Sequence, residues 1–176
     1  MIETVVSMGL AVDEAMEIRK NHLAPKVLTG KEKRICIVTG THGDELEGQY
    51  VCYEIIRRIN ENPSCLKGIV DVYPATNPLG VDCMTRGVPM FDLDLNRIFP
   101  GNEHGHMAEY AASKIIEDIA GADVCIDIHA SNVFLREIPQ VRINEQTVDT
   151  LLPLAKELNV DYIWIHAAAT VLESTL

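Results

Sequence analysis

Short apolar runs alternate with amphipathic helical segments along most of this chain, and that alternation limits the possible folds more than any other feature. Each run has the length of a buried strand, and each helical segment repeats its apolar residues at the helical spacing. The predicted strands are residues 34–40, 69–73, 123–129 and 160–165, and the predicted helices are residues 47–59, 106–119 and 146–158. This order predicts an α/β fold with a mostly parallel or mixed central sheet and helices on both faces. Because no repeat or linker interrupts the pattern, we expect a single domain over residues 1–176.

The net charge and the cysteine content limit the partners that the chain can bind and indicate its cellular compartment. A formal net charge of −11 argues against nucleic acid, because phosphates require a basic surface. The apolar runs are far too short to cross a bilayer, and the first residues lack the basic segment of a signal peptide. Five cysteines without a CxxC pair favour free thiols over disulfides or zinc thiolates. We therefore expect a cytoplasmic protein that does not bind membranes.

The segment that leaves the first predicted strand carries two residues with the spacing of metal ligands. His42 and Glu45 are three positions apart in a tight turn, so both side chains can converge on one point. A catalytic zinc typically takes three protein ligands from His and carboxylate side chains and keeps one position open. The alternative is a plain helix N-terminus, where Asp44 and Glu45 interact favourably with the helix dipole.

A third candidate ligand, His129, lies at the end of the predicted strand 123–129. Ligands bind at the carboxyl ends of parallel strands in α/β sheets, and His42 also follows a strand. Asp127 projects to the same side of the strand as His129, so it can orient one ring nitrogen, as carboxylates do for metal-bound histidines. The alternative is a histidine that is hydrogen-bonded in the core.

The long segment 76–105 is rich in Pro, Gly, Asn and Asp and shows no sustained periodicity. Unstructured segments of this length in compact domains are usually functional. It contains Arg86 and the run 92–97, whose last residues are Asn96 and Arg97. Together these donors suit a carboxylate or a developing oxyanion. The alternative is a polar loop whose charges are solvated.

The order of these motifs resembles a known superfamily. They are Gly-Thr-His-Gly-Asp-Glu at 40–45, Asn-Pro at 77–78, Arg86, Asp-Leu-Asn-Arg at 94–97 and Asp-Ile-His at 127–129. This order is similar to that of the zinc carboxypeptidase superfamily, and the residues within the motifs are most similar to those of its succinylglutamate desuccinylase/aspartoacylase branch. The resemblance runs from about residue 34 to residue 129 and continues more weakly to the end.

The resemblance implies one zinc ion per chain, with His42, Glu45 and His129 as its ligands. It also implies that Asp94 accepts a hydrogen bond from the ring nitrogen of His42 that does not bind the metal. A zinc ion held in this way lowers the pKa of a bound water for attack on an amide.

For the substrate, the resemblance implies that Arg86 polarises the scissile carbonyl, while Asn96 and Arg97 hold a carboxylate. The expected activity is removal of the acyl group from an N-acyl amino acid or a similar small amide. A carboxypeptidase acting on peptides is the alternative enzyme, because the same donors would hold a peptide carboxylate.

One element of the family is missing from the sequence pattern. The family's general base is a glutamate well beyond the third zinc ligand, usually in Glu-Leu-Gly, and no such motif follows His129. Glu173 is the only acidic residue near the end, and its context is typical of a helix start. We therefore expect a catalytic domain that is truncated after Leu176 and has little amidase activity alone.

Two further expectations follow from the incomplete domain. If this length is natural, the chain is instead a non-catalytic metal-binding module. An incomplete sheet would also leave a strand edge and an apolar surface open, and both favour pairing with another chain. We therefore expect a homo-oligomer.

Overall fold

A computed structural model describes residues 1–89, 91, 93–131 and 134–167. Its strands are β1 (Ile2–Gly9), β2 (Ala15–Leu23), β3 (Arg34–Val38), β4 (Ile69–Tyr73), β5 (Val124–Asp127), β6 (Gln140–Asn144) and β7 (Tyr162–His166). Its α-helices are α1 (Glu47–Glu61), α2 (Pro78–Cys83), α3 (Met107–Ile119) and α4 (Val148–Ala155). Short 3₁₀ turns occupy Pro63–Cys65, Leu95–Arg97 and Glu145–Thr147.

Five strands form a mixed sheet in the order β1-β2-β4-β3-β5, and β6 and β7 form a separate parallel pair. Strand β3 lies between β4 and β5 and is parallel to both, whereas β2 is antiparallel to β1 and to β4. The predicted α/β class with a mixed sheet is therefore confirmed.

The elements with continuous apolar patterns were predicted well, and those with mixed patterns were not. Strands β3, β4, β5 and β7 and helices α1, α3 and α4 all fall within or close to the predicted ranges. The hairpin of β1 and β2 was missed although polar residues alternate with apolar ones along it, which is the pattern of a half-buried strand; its loop uses Val12 and Asp13 at positive φ and lacks the glycine that marks a hairpin turn. Strand β6 and helix α2, which lies inside the segment 76–105, were also missed.

Helices cover both faces of the central sheet. On one face, α1 packs its apolar residues against Ile37 of β3 and Val72 of β4. On the other face, α3 packs against β1 and β2, and its last residue reaches Val38 and Tyr73. Successive residues of β3 therefore enter opposite cores, as the alternation of side chains along a strand requires. Among the described residues, no helix is long and apolar enough to cross a membrane.

A buried ion network joins the N-terminal hairpin to the rest of the sheet. The carboxylate of Asp71 is 1% exposed and accepts hydrogen bonds from Nδ1 of His22 at 2.6 Å and Nε of Arg34 at 2.8 Å. Nζ of Lys20 lies 3.5 Å from Asp71 and 2.8 Å from Asp118 of α3. Burial alone would raise the pKa of Asp71, but the hydrogen bonds from His22 and Arg34 outweigh it and lower that pKa.

We expect the substitution Asp71→Asn to destabilise the fold by about 3–5 kcal/mol at pH 7, because it removes the buried carboxylate that His22, Arg34 and Lys20 share. Since the pKa of Asp71 is lower in the folded than in the unfolded chain, its contribution is present above pH about 4 and is lost as the pH falls through the folded value. Urea unfolding measured from pH 7 to pH 2 should show the free energies of unfolding of the wild-type and Asp71→Asn proteins converging at acid pH. The exposed Asp161→Asn serves as the control, and an equal loss in both variants would contradict the prediction.

Self-association of the chain stays a prediction. Within the described residues β7 pairs only with β6, and it exposes Tyr162 (56%), Trp164 (44%) and Ile165 (46%). Light scattering at micromolar concentration should give at least twice the monomer mass of 19.5 kDa. A stable monomer would contradict it.

Candidate metal centre

Two neighbouring parallel strands bring the three predicted ligands together. In the register of β3 and β5, Val38 lies opposite Asp127, so the segments that follow both strands leave the sheet side by side. His42 and Glu45 lie in the turn between β3 and α1, and His129 lies two residues beyond the end of β5. The predicted strand 123–129 therefore ends earlier than expected, and His129 is in the loop after it.

The donor atoms of these three side chains converge on one point. Nδ1 of His42 lies 2.7 Å from Oε1 of Glu45, Nδ1 of His129 lies 3.1 Å from Oε2, and the two Nδ1 atoms are 3.2 Å apart. In a tetrahedral zinc site with bonds of about 2.0–2.1 Å, neighbouring ligand atoms are about 3.3–3.4 Å apart. The His129–Glu45 and His42–His129 distances are close to that spacing and the His42–Glu45 distance is shorter, so the three side chains form a group that could hold a metal ion.

Two further carboxylates fix the orientation of the histidine rings. Nε2 of His42 donates to Oδ1 of Asp94 at 2.9 Å, and Nε2 of His129 donates to Oδ2 of Asp127 at 2.8 Å. Assigned in this way from their partners, the neutral rings carry no proton on Nδ1. Lone pairs of both Nδ1 atoms then face the Glu45 carboxylate, an arrangement of acceptors that a cation stabilises.

The electrostatics of the cluster also favour a cation. Burial would raise the pKa of Glu45, but the adjacent rings of His129 and His42 and the backbone N–H of Ala130 hold it far below the usual range. Burial likewise opposes the charged form of His129, yet its hydrogen bonds to Asp127 and Glu45 raise the pKa well above the ordinary value. The raised pKa of His129 reflects the negative charge of Asp127 and Glu45 beside its ring, which a divalent cation would also neutralise.

Arg86, one of the predicted substrate-binding residues, contacts this cluster directly. Its guanidinium donates to Oε1 of Glu45 at 3.2 Å and to Oδ2 of Asp94 at 3.3 Å, and 54% of the side chain is exposed. The backbone N–H of Asn96 donates to Asp94 at 3.0 Å, so the buried Asn96 adjoins the cluster through its main chain. Arg97 is exposed and donates to the carbonyl of Asn96 at 3.2 Å, within its own loop. Asp92, at the start of that predicted run, lies outside the described residues.

The sequence analysis did not identify the residues that hold the turn of His42 and Glu45 in place. Thr41 and Thr76 are buried and their hydroxyls are 2.9 Å apart, which ties the turn after β3 to the loop after β4. Asn77 caps helix α2 and also bonds to the turn. The dipeptide Asn-Pro at 77–78 carried a usable signal, because Asn before Pro is typical of a helix start.

The fold and site define an α/β protein with a His–Glu–His cluster of the kind that holds a metal ion. Residues 31–174 match the succinylglutamate desuccinylase/aspartoacylase catalytic domain, and the chain belongs to that family. The resemblance stated from the motifs is thereby confirmed.

Individual relatives agree with this assignment. The chain is 29% identical over 114 residues to an N-alpha-acetyl-L-2,4-diaminobutyric acid deacetylase of Halomonas elongata, a match that covers 64% of the chain and 33% of that protein. A succinylglutamate desuccinylase/aspartoacylase structure from Rhodobacter sphaeroides shares the fold with a TM-score of 0.78 at 22% identity, and 93% of this chain covers 51% of that one. The product-bound ectoine utilization protein of Ruegeria pomeroyi gives 0.74 at 21% identity, and 90% of this chain covers 48% of it. The chain thus spans a third of the deacetylase and about half of the two solved structures.

We expect Asp94→Asn to weaken zinc binding by about 10- to 100-fold, the usual cost of losing a carboxylate behind a metal-bound histidine. Asparagine at this position can present its amide nitrogen to Nε2 of His42 and no longer fixes the proton there. Competition with a chelating dye measures the dissociation constant. The exposed Asp149→Asn is the control, and equal affinities for Asp94→Asn and this control would show that Asp94 does not act on the ligand.

Proposed function

We propose that this chain carries the zinc site of an amidohydrolase that removes the acyl group from an N-acyl amino acid or a similar small amide. The observation that carries the proposal is the convergence of two Nδ1 atoms and one carboxylate within 4.8 Å of one another. Family membership supports deacylation, and one relative is by name a deacetylase of an N-acetyl amino acid.

In this proposal, His42, Glu45 and His129 hold the metal, with Asp94 and Asp127 as the partners of the two rings. A bound zinc ion supplies a Lewis acid and an acidified water. Zinc is favoured over Mg²⁺ or Ca²⁺ because two of the three donors are imidazole nitrogens, whereas those ions prefer oxygen ligands.

We assign Arg86 to the carbonyl of the scissile amide. Its guanidinium already lies beside Glu45 and Asp94 and is half exposed, so it can reach a ligand bound next to the cluster. Positive N–H donors at this point stabilise the negative charge that develops on the carbonyl oxygen. The exposed Arg97, together with Asn96, would hold the substrate carboxylate.

Proton transfer needs a group other than the carboxylates around the histidines. Glu45 lies against the Nδ1 atoms of both histidines, where it is a candidate metal ligand, while Asp94 and Asp127 each hold the Nε2 proton of one ring. Glu173, whose sequence context is that of a helix start and not of the family's general base, lies outside the described residues. We propose that this chain alone binds zinc but has little amidase activity, since loss of a general acid–base costs about 10²–10⁴-fold. A cytoplasmic location, with free cysteines, is part of the same proposal.

The proposal is tested with the zinc-loaded chain and a panel of N-acetyl and N-succinyl amino acids. We expect one zinc per chain, and its loss in His129→Ala and Glu45→Ala. Binding of zinc without binding of any acyl amino acid would favour the non-catalytic module. Turnover near the common enzyme value of about 10 s⁻¹ would instead show that a proton-transfer group is already present.

We expect Arg86→Ala to weaken binding of an N-acyl amino acid to the zinc-loaded chain by about 10- to 100-fold, the worth of a charge-assisted hydrogen bond of roughly 1.5–3 kcal/mol. Isothermal titration calorimetry measures the effect. Arg57→Ala on α1, where Arg57 pairs with Glu54 and Glu61, removes the same charge away from the cluster. A similar effect of both variants would mean that Arg86 acts only through the overall charge.

A further inference from the structure

The side chain of Asn77 connects three segments around the metal centre. It follows β4 and is only 3% exposed. Its Nδ2 donates to the carbonyl of Thr41 at 3.3 Å and to the carbonyl of Gly87 at 3.2 Å, while its Oδ1 accepts from the N–H of Gly80 at 3.0 Å. Both amide hydrogens are therefore used, and so is the carbonyl oxygen.

Each of the two accepting carbonyls adjoins a residue of the candidate site. Thr41 immediately precedes His42, and Gly87 immediately follows Arg86. Because one planar amide bonds to both carbonyls at once, it fixes the separation of the two backbones. The bond to Gly80 is different in kind, since it only caps the first turn of α2.

Close packing between the same segments leaves little freedom. The N–H of Gly43 donates to the carbonyl of Thr85 at 2.9 Å. A Cβ on Gly43 would lie 1.9 Å from the carbonyl carbon of Gly80, and a Cβ on Gly80 would lie 2.3 Å from Nδ2 of Asn77. Two glycines thus allow the turn, the first residues of α2 and the Asn77 amide to meet in direct contact.

We propose that Asn77 is a positioning residue, which sets the distance between the turn that carries His42 and Glu45 and the segment that carries Arg86. The inference rests on the proposed function, because this distance matters for activity only if the turn holds zinc and Arg86 binds the substrate. In physical terms, the two hydrogen bonds that the Asn77 amide donates keep the turn at a fixed distance from the segment of Arg86. The cap that Asn77 provides for α2 does not have this effect.

The test separates the two roles of Asn77 by substitution. Asn77→Asp keeps the shape and the oxygen that accepts from Gly80 but loses both donors. Asn77→Ser also retains a capping oxygen and introduces no charge, so it covers the case in which the aspartate variant does not fold. Asn144→Asp is the matched control, because Asn144 accepts from the N–H of Gln146 at 2.9 Å as the cap of a turn outside the cluster.

For Asn77→Asp and Asn77→Ser we expect a zinc dissociation constant raised by about 10- to 100-fold, as for other residues behind a metal ligand. We also expect a shifted visible absorption spectrum of the cobalt(II)-loaded protein and faster hydrogen exchange at the Gly43 amide. Asn144→Asp should change none of these. Asn77 variants that lose thermal stability but keep the zinc affinity and the cobalt spectrum would overturn the proposal.

Failure of the proposed function gives a different result. If the wild-type chain binds no zinc, the metal assignment is wrong. In that case hydrogen exchange at the Gly43 amide alone decides the Asn77 proposal. The proposal requires faster exchange in both Asn77 variants than in Asn144→Asp. Equal exchange rates would refute it.

Discussion

The parallel pairing of β3 with β5 is the constraint on which the candidate site depends. The backbone N–H of Ile128 donates to the carbonyl of Val38 at 2.8 Å, and the hydroxyl of Thr39 donates to the carbonyl of Ile128 at 3.0 Å, so the pairing extends past the regular strands. These bonds bring the segments that carry His42 and His129 together although the two residues are distant in sequence. A slip of one residue would turn every side chain of a strand to the other face and separate the histidines.

The second feature is a graded arrangement of charge around the histidines. Glu45 lies between the two Nδ1 atoms, Asp94 and Asp127 lie behind the rings, and Arg86 closes one side. In the proposed metal site, the outer carboxylates would make the imidazoles better ligands by holding their distal protons. Arg86 offsets part of the negative charge of Glu45 and Asp94, and its exposed side chain stays available to a carbonyl or carboxylate ligand. The buried network around Asp71 is separate from this site and serves the packing of the hairpin.

Prediction from sequence succeeded where a local pattern determines the structure. The apolar run of β4 and the amphipathic pattern of α1 gave those elements nearly to the residue, and the histidines and the glutamate of the Gly-rich turn and of Asp-Ile-His lie together in the structure. The β1–β2 hairpin was not predictable because its register depends on pairing with β4 and on charges such as Lys20 and Asp71, which meet only in the folded chain. The place of Asn77 was missed for the same reason, since its partners Thr41 and Gly87 are set by long-range packing. The roles of Asn96 and Arg97 rest on the family pattern alone.

In the proposed function, His42, Glu45 and His129 together bind one zinc ion. X-ray absorption at the zinc edge, on protein loaded with one equivalent, tests it most directly. We expect a first shell of two imidazole nitrogens and carboxylate or water oxygens at about 2.0–2.2 Å, and loss of the second imidazole in His129→Ala. A sulfur shell at about 2.3 Å would place the ion on the cysteines and contradict the account, as would a wild-type spectrum that His129→Ala leaves unchanged.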